Sequence, residues 1–177
     1  MAALMAAAAS AGVAGGAHAA SKKSVTKPIT VVGAYVTDVT CLPLSGTPTN
    51  EIGTFEVTCE IGAIYTGAFR GHTKGTLKGT FDAAGNASGV FDETFYGQYV
   101  PDGSWGTWRD TGTFTLDGAT QVLQGQGTIS EGTCGFYGSS GIFTFGGTST
   151  YGSYSAQWTR PVTAPSDPAC AVGRVDL

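Results

Sequence analysis

A carboxylate set among aromatic side chains is the first candidate for chemistry in this sequence. In "GVFDETFYG", residues 89–97, a period of two places Phe91, Glu93 and Phe95 on one face of a strand and Asp92, Thr94 and Tyr96 on the other. If the phenylalanines point inward, Glu93 does too. Desolvation then raises its pKa and fits it to act as a general acid or to hydrogen-bond a ligand. If they cover an outer surface or one end of the domain, Glu93 is a paired or solvated structural group.

The natural complement is "SWGTWRDTG", residues 104–112, where Trp105, Thr107 and Arg109 share one face while Trp108 and Asp110 share the other with Phe114. A hairpin turning at Pro101-Asp102-Gly103, with 100 opposite 102, sets Arg109 directly across from Glu93 on one face. At the surface such a pair contributes only roughly a few tenths of a kcal/mol. Inside a lined cavity it anchors a carboxylate or a phenol. Glu93, Arg109, Trp105, Phe91 and Phe95 are therefore the candidate ligand-binding residues, and no catalytic residue is assigned.

Other constellations carry less. Tyr65, Tyr96, Trp105, Trp108, Tyr154 and Trp158 can line a pocket, or serve as plain core and outer cladding. A Ser-His-Asp triad would have to use His72, which sits in the polar alternating stretch "FRGHTKG" and reads as solvent-facing. Asn86-Ala87-Ser88 has the glycosylation pattern, relevant in a eukaryotic secretory host. The glycine-rich "EGTCGFYGSSGIFTFGG" at 131–147 is not a phosphate loop: an alternating segment follows it, not a helix, and no lysine occurs after Lys78. No cofactor motif is present. Cys41, Cys59, Cys134 and Cys170 include no Cys-x-x-Cys pair, which argues against structural zinc.

The elements that must position these residues are strands. In "GTFEVTCEI", Phe55, Val57, Cys59 and Ile61 alternate with Thr54, Glu56, Thr58 and Glu60. "ITVVGAYVTDVTC", "AIYTGAFRG", "TKGTLKGTFD", "QVLQGQGTIS" and the two stretches above continue the series. Turn signals fall at "DAAGN", Pro101-Asp102-Gly103 and Asp117-Gly118. Beyond the leader nothing shows helical periodicity over a dozen positions. The pattern predicts an all-β fold of about eight or nine strands spaced at roughly 8–12 residues. Glycines inside the strands favour a single closed antiparallel barrel over an open sandwich.

Composition bounds compartment and partners. The first stretch, "MAALMAAAASAGVAGGAHAA", ends in the small-x-small pattern Ala17-His18-Ala19 and reads as a secretion signal, 1–19, although a charged n-region is missing. A polar linker (20–28), a barrel domain (29–160) and a Pro-rich tail (161–177) follow. Even cysteine number and export suggest two disulfides; the tail's Cys170 is expected to staple back onto the body, with Cys134 as first choice of partner. A net charge of −4 offers no footprint for nucleic acid. No segment is apolar enough to span a bilayer as a helix. Charged residues are 12% of the chain against about 25% typically, with 28 glycines and 11% aromatics.

"GTISEGTCGFYGSSGIFTF" resembles the strand, Gly-Thr-Gly turn and strand of the allene oxide cyclase and dirigent barrel superfamily. The matching residues are Gly132-Thr133-Cys134-Gly135-Phe136 and then Gly141-Ile142-Phe143, with Cys134 in place of a spacer. It is also similar to small secreted bacterial domains with the same hairpins. The resemblance implies an eight-stranded, calycin-like barrel and carries over no catalytic residue. Three functions stay open: a binding or structural module accepting a small apolar or aromatic ligand, a cofactor-free cyclase or isomerase, and an extracellular interaction or inhibitor domain acting through loops such as 41–53. Oligomeric state is not legible.

Overall fold

The computed structural model describes residues 27–41, 53–160 and Cys170. The expected leader, most of the linker, the loop segment 42–52 and the tail around Cys170 lie outside the described residues. Eight antiparallel strands form a closed up-and-down barrel in chain order: β1 (Ile29–Cys41), β2 (Phe55–Gly67), β3 (Phe69–Phe81), β4 (Ala87–Tyr99), β5 (Ser104–Leu116), β6 (Val122–Ser130), β7 (Ser140–Thr148) and β8 (Tyr151–Thr159). The connection between β6 and β7 holds a three-residue 3-10 turn, Cys134–Phe136. β8 pairs with β1 from Tyr151 opposite Val36 to Trp158 opposite Ile29, so the sheet has no free edge.

The strands form where alternation puts Thr, Ser, Lys and Glu outside and aromatic or aliphatic residues inside, as in β2, where Val57, Cys59, Ile61 and Ala63 are buried. Glycine lets the wall curl. On the inner face a large ring commonly lies over a glycine of the next strand. A Cβ on Gly112 would stand 2.5 Å from Cζ of Phe91 and 2.6 Å from Cα of Gly127, and one on Gly71 would stand 2.9 Å from Cζ of Phe95. Ring and glycine together occupy one layer, which permits tight coiling. Between β2 and β3 the chain turns at Gly67, whose φ of 98° suits glycine.

The barrel interior divides into two halves. At the end where β2 meets β3 and β4 meets β5, Phe69, Phe95, Trp108, Phe136 and Trp158 are buried against one another. Phe95 and Trp108, direct cross-strand partners, stack at 4.0 Å, and Trp108 lies 4.7 Å from Phe69 and 4.8 Å from Phe136. The connection between β6 and β7 supplies Phe136 as a plug, fully buried, and Cys134 beside it is disulfide-bonded to Cys170. That pairing agrees with the sequence expectation. Arg160 closes the same end, donating to Ser104 Oγ (2.6 Å) and bridging to Asp102 while lying 5.3 Å from the Trp158 ring. Cys59, whose register partner is Cys41, is also disulfide-bonded.

Candidate functional site

The opposite half of the barrel is not filled. Between Tyr35, Ile61, Tyr65, Leu77, Phe91, Phe114, Phe143 and Phe145 lies a cavity of about 70 Å³, with Thr37, Val39 and Leu123 towards the end where β1 finishes and β2 begins. Glu93 also lines it. Apart from Gly62, the wall residues come from inward positions of their strands, and the stacked Phe95–Trp108 layer lies one inward step below Glu93. The volume has room for a few water-sized groups and is well below the ~300 Å³ of an ordinary small-molecule pocket.

Glu93 takes its position from β4. Its direct neighbour on β3 is Gly75, where the two backbones come so close that a Cβ would stand 2.6 Å from Glu93 Cα, and its direct neighbour on β5 is Asp110. Burial raises the Glu93 pKa, and the nearby Thr73 hydroxyl opposes that rise. Thr73, 4% exposed, accepts the Ala63 N–H at 3.0 Å, which leaves its own hydrogen free for the carboxylate. Asp110 is 5% exposed, and its pKa is pushed well above the usual carboxylate range, first by burial and then by the negative charge of Glu93. Trp108 Nε1 is near enough to favour the ionised form, but without hydrogen-bond geometry: it and Asp110 Oδ1 both lack a partner. Tyr65 is raised well above its ordinary value by burial and by Glu93 and Asp110.

Two further tyrosines complete the interior. Tyr154 Oη accepts the Phe69 N–H (3.1 Å) and donates to the Thr66 carbonyl (3.3 Å), so its hydroxyl holds the β2–β3 turn. Tyr35, in contrast, is 4% exposed with a hydroxyl that has no hydrogen-bond partner. Its oxygen lies inside the barrel over Gly152, 2.5 Å from where a Cβ would stand. The cavity is thus lined by one carboxyl group, Glu93, by Tyr35 and by several aromatic walls, with the second carboxyl, Asp110, next to Glu93 on the neighbouring strand.

Of the five residues predicted from sequence, the structure brings Phe91 and Glu93 to the cavity. Phe95 is below it, in the packed half. The expected Glu93–Arg109 pair does not form. Arg109 stands opposite Thr94 and faces outward, binding Asp92 (2.8 and 2.6 Å) and Glu131 (3.1 Å). Trp105 is on the same outer face, opposite Gln98. The physical reason is the turn. Val100 leaves the ladder to donate its N–H to the Ala68 carbonyl, and Gly103, at φ 74°, bonds back to Tyr99. Tyr99 then pairs with Ser104 across a four-residue connection, one residue out of the expected register, and a slip of one exchanges the faces.

Asp110, Tyr35, Phe143 and Phe145 were not among the sequence candidates. Asp110 had a signal: it shares a face with Trp108 and Phe114, a more apolar set than Trp105, Thr107 and Arg109. Among the other aromatics, Tyr65 lines the cavity, Trp108, Tyr154 and Trp158 are core, and Tyr96 is outside, stacked on the exposed His72 at 5.3 Å. Asn86 is built into its turn, donating to Asp82 (2.8 Å) and accepting the Gly118 N–H (2.9 Å).

No family model and no curated protein matches the sequence. Among solved structures the chain is similar to a protein of unknown function from the DUF3224 family of Shewanella oneidensis MR-1. The TM-score is 0.60 at 15% identity, over 75% of this chain and 97% of that one. At this identity the likeness concerns the barrel fold.

Proposed function

We propose that the chain is a secreted binding module of the allene oxide cyclase and dirigent-like type, whose barrel takes the end of a small apolar or aromatic ligand. One observation supports this most: Glu93, a carboxyl raised in pKa by burial, faces an aromatic-lined cavity in an otherwise packed barrel. The cavity's size selects for slim molecules that insert one end and leave the rest at the mouth. Export rests on the Ala17-His18-Ala19 pattern and on the disulfides at Cys59 and Cys134–Cys170, bonds that persist in oxidising compartments. Native mass spectrometry of protein purified from its own host is expected to show a co-purifying apolar mass. Leu77→Trp, which fills the cavity, should eliminate it. A bare protein mass, with no shift in Tm against a panel of slim apolar compounds, overturns the proposal.

A second reading, a cyclase or isomerase working through one carboxyl group, draws on the Glu93–Asp110 neighbourhood: two acids of unequal environment are what proton transfer requires. In that case Glu93→Gln abolishes turnover while the circular dichroism spectrum stays that of the wild type. An unchanged rate removes Glu93 from the chemistry.

A further inference from the structure

The polar groups in this half of the interior are mostly acids and phenols: Glu93, with the Thr73 hydroxyl beside it, Asp110, with the unpartnered Trp108 Nε1 beside it, and the Tyr35 hydroxyl. Glu93 lines the cavity, Asp110 stands beside Glu93 on the next strand with Oδ1 unpartnered, and Tyr35, another wall residue at 4% exposure, has an unpartnered hydroxyl. Among the described residues no cationic side chain is on the inner face. Arg70, His72, Lys74 and Lys78 project from the outer side of β3, Arg109 is outside on β5, and Arg160 is engaged with Asp102 at the closed end. Two neighbouring carboxyl groups without a counter-cation hold their protons more tightly than in water, and a cation bound beside them would favour ionising one. Around them, Tyr65, Phe91, Phe143 and Phe145 present ring surfaces, whose quadrupoles also favour positive charge.

We infer that the inserted end of the ligand is an ammonium group, carried on a slim alkyl or aryl chain. This deepens the binding-module reading above and rests on it. An –NH₃⁺ supplies three donors and a positive charge that favours an ionised Glu93, and it is compact enough for a cavity of about 70 Å³. A hydroxyl supplies one donor and no charge, and a carboxylate brings a like charge to Glu93.

Three probes of one chain length test the assignment by calorimetry on the full chain at pH 7: n-hexylamine, 1-hexanol and hexanoate. Hexylamine is expected to bind at least about tenfold more tightly than hexanol, since charge-assisted hydrogen bonds are roughly twice as strong as neutral ones. Hexanoate should show no binding. Glu93→Gln should reduce the amine-over-alcohol ratio to within about threefold, and Tyr35→Phe should lower amine affinity several-fold. The wild-type series decides even if a variant misfolds. Hexanol or hexanoate binding as tightly as hexylamine overturns the ammonium assignment and leaves the binding cavity standing. If all three fail to bind, the cavity reading falls with it.

Discussion

Asp110 shows what a single residue contributes against its own fold. Buried on the inner face with one oxygen unpartnered, it keeps its proton more tightly folded than unfolded. Between the ordinary aspartate pKa and the raised folded value, the native state binds more protons than the unfolded state. Stability from this group is therefore present at low pH and is lost as pH rises towards the folded pKa. Glu93, also raised, acts in the same direction. Asp110→Asn, which cannot ionise, is expected to flatten this fall and to leave the protein more stable than wild type at pH 8 by on the order of 1 kcal/mol. Urea titrations of both proteins at pH 5 and pH 8 measure it. A variant less stable than wild type at pH 8 would mean that Asp110 is satisfied in the folded state.

At the scale of elements, the ring-over-glycine layers make the barrel wall. Gly112→Ala forces a methyl group against Phe91 and the Gly127 backbone and should cost about 1–3 kcal/mol, as overpacked positions do. Gly146→Ala, which meets only the Leu123 carbonyl at 3.9 Å, is the control and should be nearly neutral. Equal urea midpoints for the two variants would remove the packing role of Gly112. The same elements show how far the sequence is legible. Alternation in "FEVTC" and "VFDETF" identifies strands and their faces, because one side is buried and the other wet. The inward placement of Glu93 follows from Phe91 and Phe95. Its partner does not, because that depends on whether Val100 belongs to the ladder or the turn, and a backbone bond to Ala68, 32 positions away in the chain, decides it. Interior volume is equally hidden: it is what the packed rings, such as Trp108, leave unfilled once all eight strands close.

On the scale of the whole molecule, one half of the barrel is solid and fastened, and the other holds the cavity. The Cys134–Cys170 bond, between residues 36 apart, fastens the solid half. Replacing both with Ser should lower stability by about 3–4 kcal/mol on the loop-entropy account. The fastening is remote from Glu93, so hexylamine affinity in the folded variant should match wild type; a changed affinity would show that the fastened end shapes the cavity. The ladder between β1 and β8 has a different consequence. Ile29 and Trp158 are direct register partners, so the two ends of the barrel's chain lie side by side, and each remaining strand pairs with its sequence neighbours. Such an order is cyclic. Residues 29 and 159 joined by a short Gly/Ser linker, with the chain reopened in the Asp117–Gln121 turn, should give a circular permutant with the same eight pairings and the same cavity.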